Sequence, residues 1–109
     1  MADIEKMIKD TLNIPVIELF EPVLPPCATW YPLLNGTGLQ GDGKETEEVD
    51  EYQIDLWDRD RERVRKHGRK LKGAISQMET ATIPDLSYSY DNNGKMWRAM
   101  LTFSVLGKE

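Results

Sequence analysis

One cysteine and one histidine are too few for much of the site chemistry a small domain can carry. Cys27 has no second cysteine to bridge to, which excludes an internal disulfide, and Cys27 with His67 cannot assemble a Cys/His zinc set. Long apolar runs are missing as well. No stretch approaches the roughly 20 residues of a membrane span, and the opening MADIEKMIKD is charged where a secretory leader would be apolar. A soluble chain made in a reducing compartment is the expectation. The 109 residues suffice for one domain built on a single core. His67 has no nucleophile beside it in sequence, and Cys27 reads as a small buried apolar residue at a strand start. No enzyme activity, metal or other cofactor is therefore expected.

Charge is plentiful but unevenly spread. Asp42 to Glu51 holds six acids (Asp42, Glu45, Glu47, Glu48, Asp50, Glu51) against Lys44, a net of −5. Asp58 to Lys72 holds eight bases against three acids, a net of +5. Adjacent blocks of opposite sign set up complementary surface potentials and point to association. Positions 35–48 contain four glycines and almost nothing to bury, so a long loop between two strands is expected. Gly36, Gly38 and Gly41 fit G-x-G-x-x-G, but acids follow instead of a helix and would repel a phosphate. The acidic run also lacks the alternating oxygens and central glycine of a calcium loop.

The stretch from Asp50 to Met78 organises the rest. Tyr52, Ile54 and Leu56 alternate with Gln53, Asp55 and Trp57, the period of a half-buried strand. Val64, Leu71, Ile75 and Met78 then recur at helical spacing, with Gly68 filling the gap in the stripe where a helix would press closely on a sheet. Asp58 or Asp60 is the expected N-cap. Arg59, Lys66, Arg69 and Lys70 fall on the outer face, with Glu62 and Lys66 spaced as an ion pair. Upstream, Ile4, Met7, Ile8 and Leu12 predict a short helix capped by Asp3 and ended by Asn13 and Pro15. Positions 15–24 predict a short edge strand or an extended segment, and 27–34 a strand whose Pro32 argues for an edge. Downstream, Asn93-Gly94 predicts a hairpin with a type I′ turn that pairs Tyr90 with Trp97, Tyr88 with Ala99 and Leu86 with Leu101. The predicted fold is α+β: a mostly antiparallel sheet with both helices on one face and a C-terminal hairpin, in a single domain spanning 1–109.

This order of parts, with ATWYPLL, YQIDLWDRD running into RERVRKHGRKLKGAISQM, and the closing LSYSYDNNGKMWRAMLTFSV, resembles the tail-completion or tail-terminator proteins of siphophages and prophages. The resemblance implies a non-enzymatic virion protein, assembled in the host cytoplasm and resident at the head–tail junction. It implies a hexameric ring that caps the tail tube and joins it to the head-completion or connector protein. Within such a ring, Asp42, Glu45, Glu47 and Glu48 of one subunit are candidates to meet Arg65, Arg69 and Lys72 of the next, with Trp57 a further candidate contact. The alternative is a small nucleic-acid-binding regulator using the basic helix 59–72, although no aromatic residue is interleaved there to stack on bases and the chain is acidic overall. Neither reading involves a membrane.

Overall fold

The computed structural model describes residues 4–17, 22–33 and 48–107. The elements are α1 (Ile4–Leu12), β1 (Cys27–Leu33), β2 (Glu48–Asp58), α2 (Arg61–Ser76), β3 (Asp85–Asp91) and β4 (Met96–Gly107). The four strands form one antiparallel sheet in the order β1-β2-β4-β3. Its helix-side face presents Ala28, Ile54, Leu56, Ala99, Leu101, Phe103 and Val105, all buried. Against these pack Ile4, Ile8 and Leu12 of α1 and Val64, Leu71 and Ile75 of α2, closing one core between the sheet and the two helices. The α+β class and the one-sided helix layer are as the residue periodicities require. No helix among the described residues is long and apolar enough to cross a membrane.

Local chemistry explains most of the boundaries. Asp60 is the N-cap of α2, its side chain accepting from the backbone N–H groups of Glu62 (2.9 Å) and Arg63 (3.3 Å). Asn13 ends α1 in the left-handed conformation (φ 58°), its N–H donating to the Lys9 carbonyl. The segment after α1 forms a single parallel bridge, Val16 with Ala28, and not a strand of its own. That bridge shields one end of β1, whose remaining outer edge has no partner among the described residues, as Pro32 anticipates.

Four expectations need correction. β2 begins at Glu48, earlier than its side-chain alternation suggests, because its first residues pair with the far end of β4 (Glu48 with Gly107). α2 stops at Ser76, so Met78 meets the core from the following turn. The hairpin register is as predicted, but the turn is not a two-residue type I′. Residues 92–95 form a four-residue loop in which Lys95 takes the left-handed conformation (φ 56°), and its N–H donates to the Asp91 carbonyl at 2.7 Å. The Asp91 carboxylate also accepts from the Asn93 N–H (3.1 Å), a local bond that competes with the tighter turn. The expected Glu62–Lys66 ion pair does not form. The helical pairs among the described residues are Lys6–Asp10 and Lys9–Glu5 on α1.

Gly68 is the closest approach of α2 to the sheet. A Cβ added there would sit 3.3 Å from Leu86 Cδ1, 3.4 Å from Tyr88 Oη and 3.5 Å from Ala99 Cβ. Alanine should be nearly neutral, because its helix-propensity gain of about 1 kcal/mol offsets the slight crowding. Valine should cost about 1–3 kcal/mol by overpacking. Urea unfolding of both variants checks this; valine as stable as glycine would mean the helix does not press on the sheet here.

Candidate functional site

The junction of β2 and α2 is fixed by a buried carboxylate. Asp58, 1% exposed, accepts from Arg63 Nε at 2.6 Å and Arg63 Nη2 at 2.9 Å, a two-point contact. It also accepts from the Asp60 N–H at 3.0 Å. Burial alone would raise the Asp58 carboxyl. The hydrogen bonds from Arg63 and Asp60, with the charges of Arg63 and His67, outweigh it and hold the group below the usual carboxylate range. His67 lies one turn on. Burial pushes its imidazole down, Asp58 partly offsets this, and Arg63, Lys70 and Lys66 push it further down. Burial likewise raises the Cys27 thiol, which disfavours the reactive thiolate. Among the described residues no group of three or more His, Cys, Asp or Glu side chains is placed to hold a metal.

Both depressed groups make the protein acid-sensitive. The unfolded chain binds more protons than the native one wherever a folded-state value is lowered, so stability falls as pH falls. The His67 contribution is complete above its unfolded value of about 6.5 and is lost as pH drops through its lower folded value. The Asp58 contribution is complete above about 3.9 and is lost only in stronger acid. His67→Gln should therefore flatten the decline just below neutrality and leave the acid limb intact. Denaturant midpoints across the pH range test this, and an unchanged upper slope in the variant would contradict it.

Next to this junction lies a groove of about 230 Å³ lined by Arg61, Val64, Arg65, Tyr88 and Trp97. It lies between the first turns of α2 and the β3–β4 hairpin, ahead of the close approach at Gly68. The Arg61 guanidinium stands 5.4 Å from the centre of the Trp97 ring, a cation–π distance. Tyr90 meets Trp97 edge-on at 5.0 Å between ring centres. Tyr88 and Tyr90 stay 38% and 44% exposed although their neighbours in the same face are core. β3 is the outermost strand among the described residues, so this aromatic patch adjoins a strand edge with no described partner.

The opposite face of the sheet is polar and organised around Asp55, which is 4% exposed. Its carboxylate accepts from Arg98 Nη2 (3.0 Å) and Gln53 Nε2 (2.9 Å). The Arg98 guanidinium also stands 5.1 Å from the centre of the Trp57 ring, whose Nε1 donates to Thr29 Oγ1 at 3.3 Å.

Of the residues singled out in the sequence, Arg65 is in the groove. Arg69 is exposed and lines a separate depression with Lys66 and His67, and Lys72 is half-buried further along α2. Trp57 is on the other face of the sheet, engaged by Thr29 and Arg98, so it is not brought together with the arginines. Glu48 starts β2 at the far end of the sheet from the groove. Asp42, Glu45 and Glu47 lie outside the described residues. Sequence reasoning missed Arg61, Tyr88 and Trp97 as a set, although the hairpin register already placed both aromatics on the helix side. It also missed Asp55 with Arg98, which meet only once β2 and β4 are in register. No protein-family model matches the chain, and no curated protein matches its sequence.

Proposed function

We propose that the protein is a non-enzymatic virion component, a siphophage or prophage tail-terminator or tail-completion subunit. Copies of it form a ring that caps the tail tube and joins it to the head connector. The observation that supports this reading is the layout itself. A short helix, an edge strand, a long connection, a strand running straight into a long polar helix, and an aromatic hairpin occur in the order the resemblance implies, with both helices on one face. Asp50 and Glu51 at one end of β2 and Arg61 at the start of α2 beyond its other end suit head-to-tail contacts between like subunits.

Polymerising tail-tube protein with and without the purified chain tests the proposal. Tubes should stop at a narrow length distribution with a ring of extra density at one end in electron micrographs. Unchanged lengths and bare ends would remove it. The second reading is favoured by the exposed cations Arg59, just before α2, and Lys66, Arg69 and Lys70 along it, which could track a phosphate backbone. Binding to duplex DNA that weakens steeply with salt, together with no effect on tubes, would select that reading instead.

A further inference from the structure

We propose that neighbouring copies of this chain dock head to tail, the acidic start of β2 in one copy seating on the Arg61–Arg65–Tyr88–Trp97 groove of the next. This rests on the ring reading and names the surfaces that make the ring.

Two observations carry it. The first is separation. Asp50 and Glu51 lie at one end of β2, while Asp58, opposite Trp97 in β4, lies at the other. At ~3.3 Å per residue, Asp50 and Asp58 are about 26 Å apart. α2 then runs back along the sheet, so Arg61 and Arg65 are the helix cations furthest from the acidic end of their own chain, and Lys72 is about 16 Å nearer at ~1.5 Å rise per residue. The acids at Asp50 and Glu51 thus cannot reach Arg61 and Arg65 within one subunit.

The second observation is complementarity. Arg63 is matched internally by Asp58, but Arg61 and Arg65 have no carboxylate within 4.0 Å among the described residues. Arg61 stands over the half-buried Trp97 ring and Arg65 lines the same groove with exposed Tyr88, beside a strand edge that has no partner among the described residues. Tyrosine, tryptophan and arginine in one shallow groove are the side chains that contribute most at protein interfaces. The far end of the same sheet carries Asp50, exposed, and Glu51, half-buried. Complementary patches at two ends of one subunit can pair reciprocally in a two-fold dimer or in one direction around a ring, and the ring reading selects the second, heterologous contact.

The test is sedimentation velocity on the full chain across a salt series. It compares the wild type with Arg61→Glu/Arg65→Glu, with Asp50→Lys/Glu51→Lys, and with a 1:1 mixture of the two variants. Wild-type assembly should weaken with salt, and each double reversal should weaken it by on the order of tenfold or more. In the mixture, the acidic groove of the first variant faces the basic strand end of the second, and the basic groove of the second faces the acidic end of the first. Alternating assembly should therefore return, which also shows that both variants are folded. Wild-type assembly that survives both reversals, or a mixture that stays monomeric, would overturn the docking mode and leave the ring reading standing on other surfaces. A wild-type chain that stays monomeric at every salt and protein concentration would remove the ring reading and this inference together.

Discussion

Leu71→Ala should destabilise the protein by about 3 kcal/mol, within the ~2–5 kcal/mol span of such core truncations. Leu71 is fully buried at the centre of the α2 stripe, with Val64 and Ile75 a turn or two to either side, and belongs to the cluster that joins both helices to the sheet. The removed methyl groups take their transfer free energy with them. The cavity adds a further term, because α2 is held down by the close approach at Gly68 and cannot follow. For a domain of this size the thermal midpoint should fall by roughly 12–24 °C. Lys70→Ala, one residue away on the exposed side, should move stability by no more than about 0.5 kcal/mol. Equal effects at the two positions would mean that α2 is not packed as described.

The second large effect is expected at Arg98, and it separates the two halves of one ion pair. Removing Arg98 leaves the Asp55 carboxylate 4% exposed with Gln53 as its remaining side-chain donor. A charge stranded in a fully buried site costs about 3–5 kcal/mol, and the partial exposure of Arg98 (31%) brings the expected loss for Arg98→Ala nearer ~2 kcal/mol. Arg98→Lys should recover only part of it, since a lysine cannot present a planar guanidinium to both Asp55 and the Trp57 ring. The double change Asp55→Leu with Arg98→Met should be much less damaging than Arg98→Ala, because no unpaired charge remains. Denaturant unfolding of the wild type, Asp55→Leu, Arg98→Met and the double variant closes the comparison. If the double variant is as unstable as the sum of its single changes, the pair is not coupled.

Local rules made most of the framework legible in the sequence. The switch from alternation at Tyr52–Leu56 to helical spacing at Val64–Ile75 located β2 and α2, and the gap in that spacing marked Gly68 as the contact with the sheet. The hairpin register followed from matching apolar positions about Asn93-Gly94, and the sheet preserved it even though the turn itself is longer. That turn was not legible because Asp91 supplies acceptors from both its side chain and its carbonyl, which Asn-Gly preference does not register.

The site was less legible, for a different reason. Alternation assigned Asp55 to a solvent face, whereas its burial depends on Arg98 and Trp57, more than 40 residues and two residues away along the chain. Charge counting found the basic block, but not which of its members would be left uncompensated. Arg63 is absorbed by Asp58, while Arg61 and Arg65 are raised beside Trp97 and Tyr88 by the angle at which α2 meets the sheet. Such choices are made by tertiary geometry, and composition does not encode them locally.

The most direct measurement of the central claim is the mass of the assembled protein at low salt, by native mass spectrometry of the untagged chain. A heterologous contact that closes gives one discrete species, and six copies is the expected result, with dissociation to monomer as salt is raised. A two-fold dimer, or an open ladder of masses without a closed species, would contradict it.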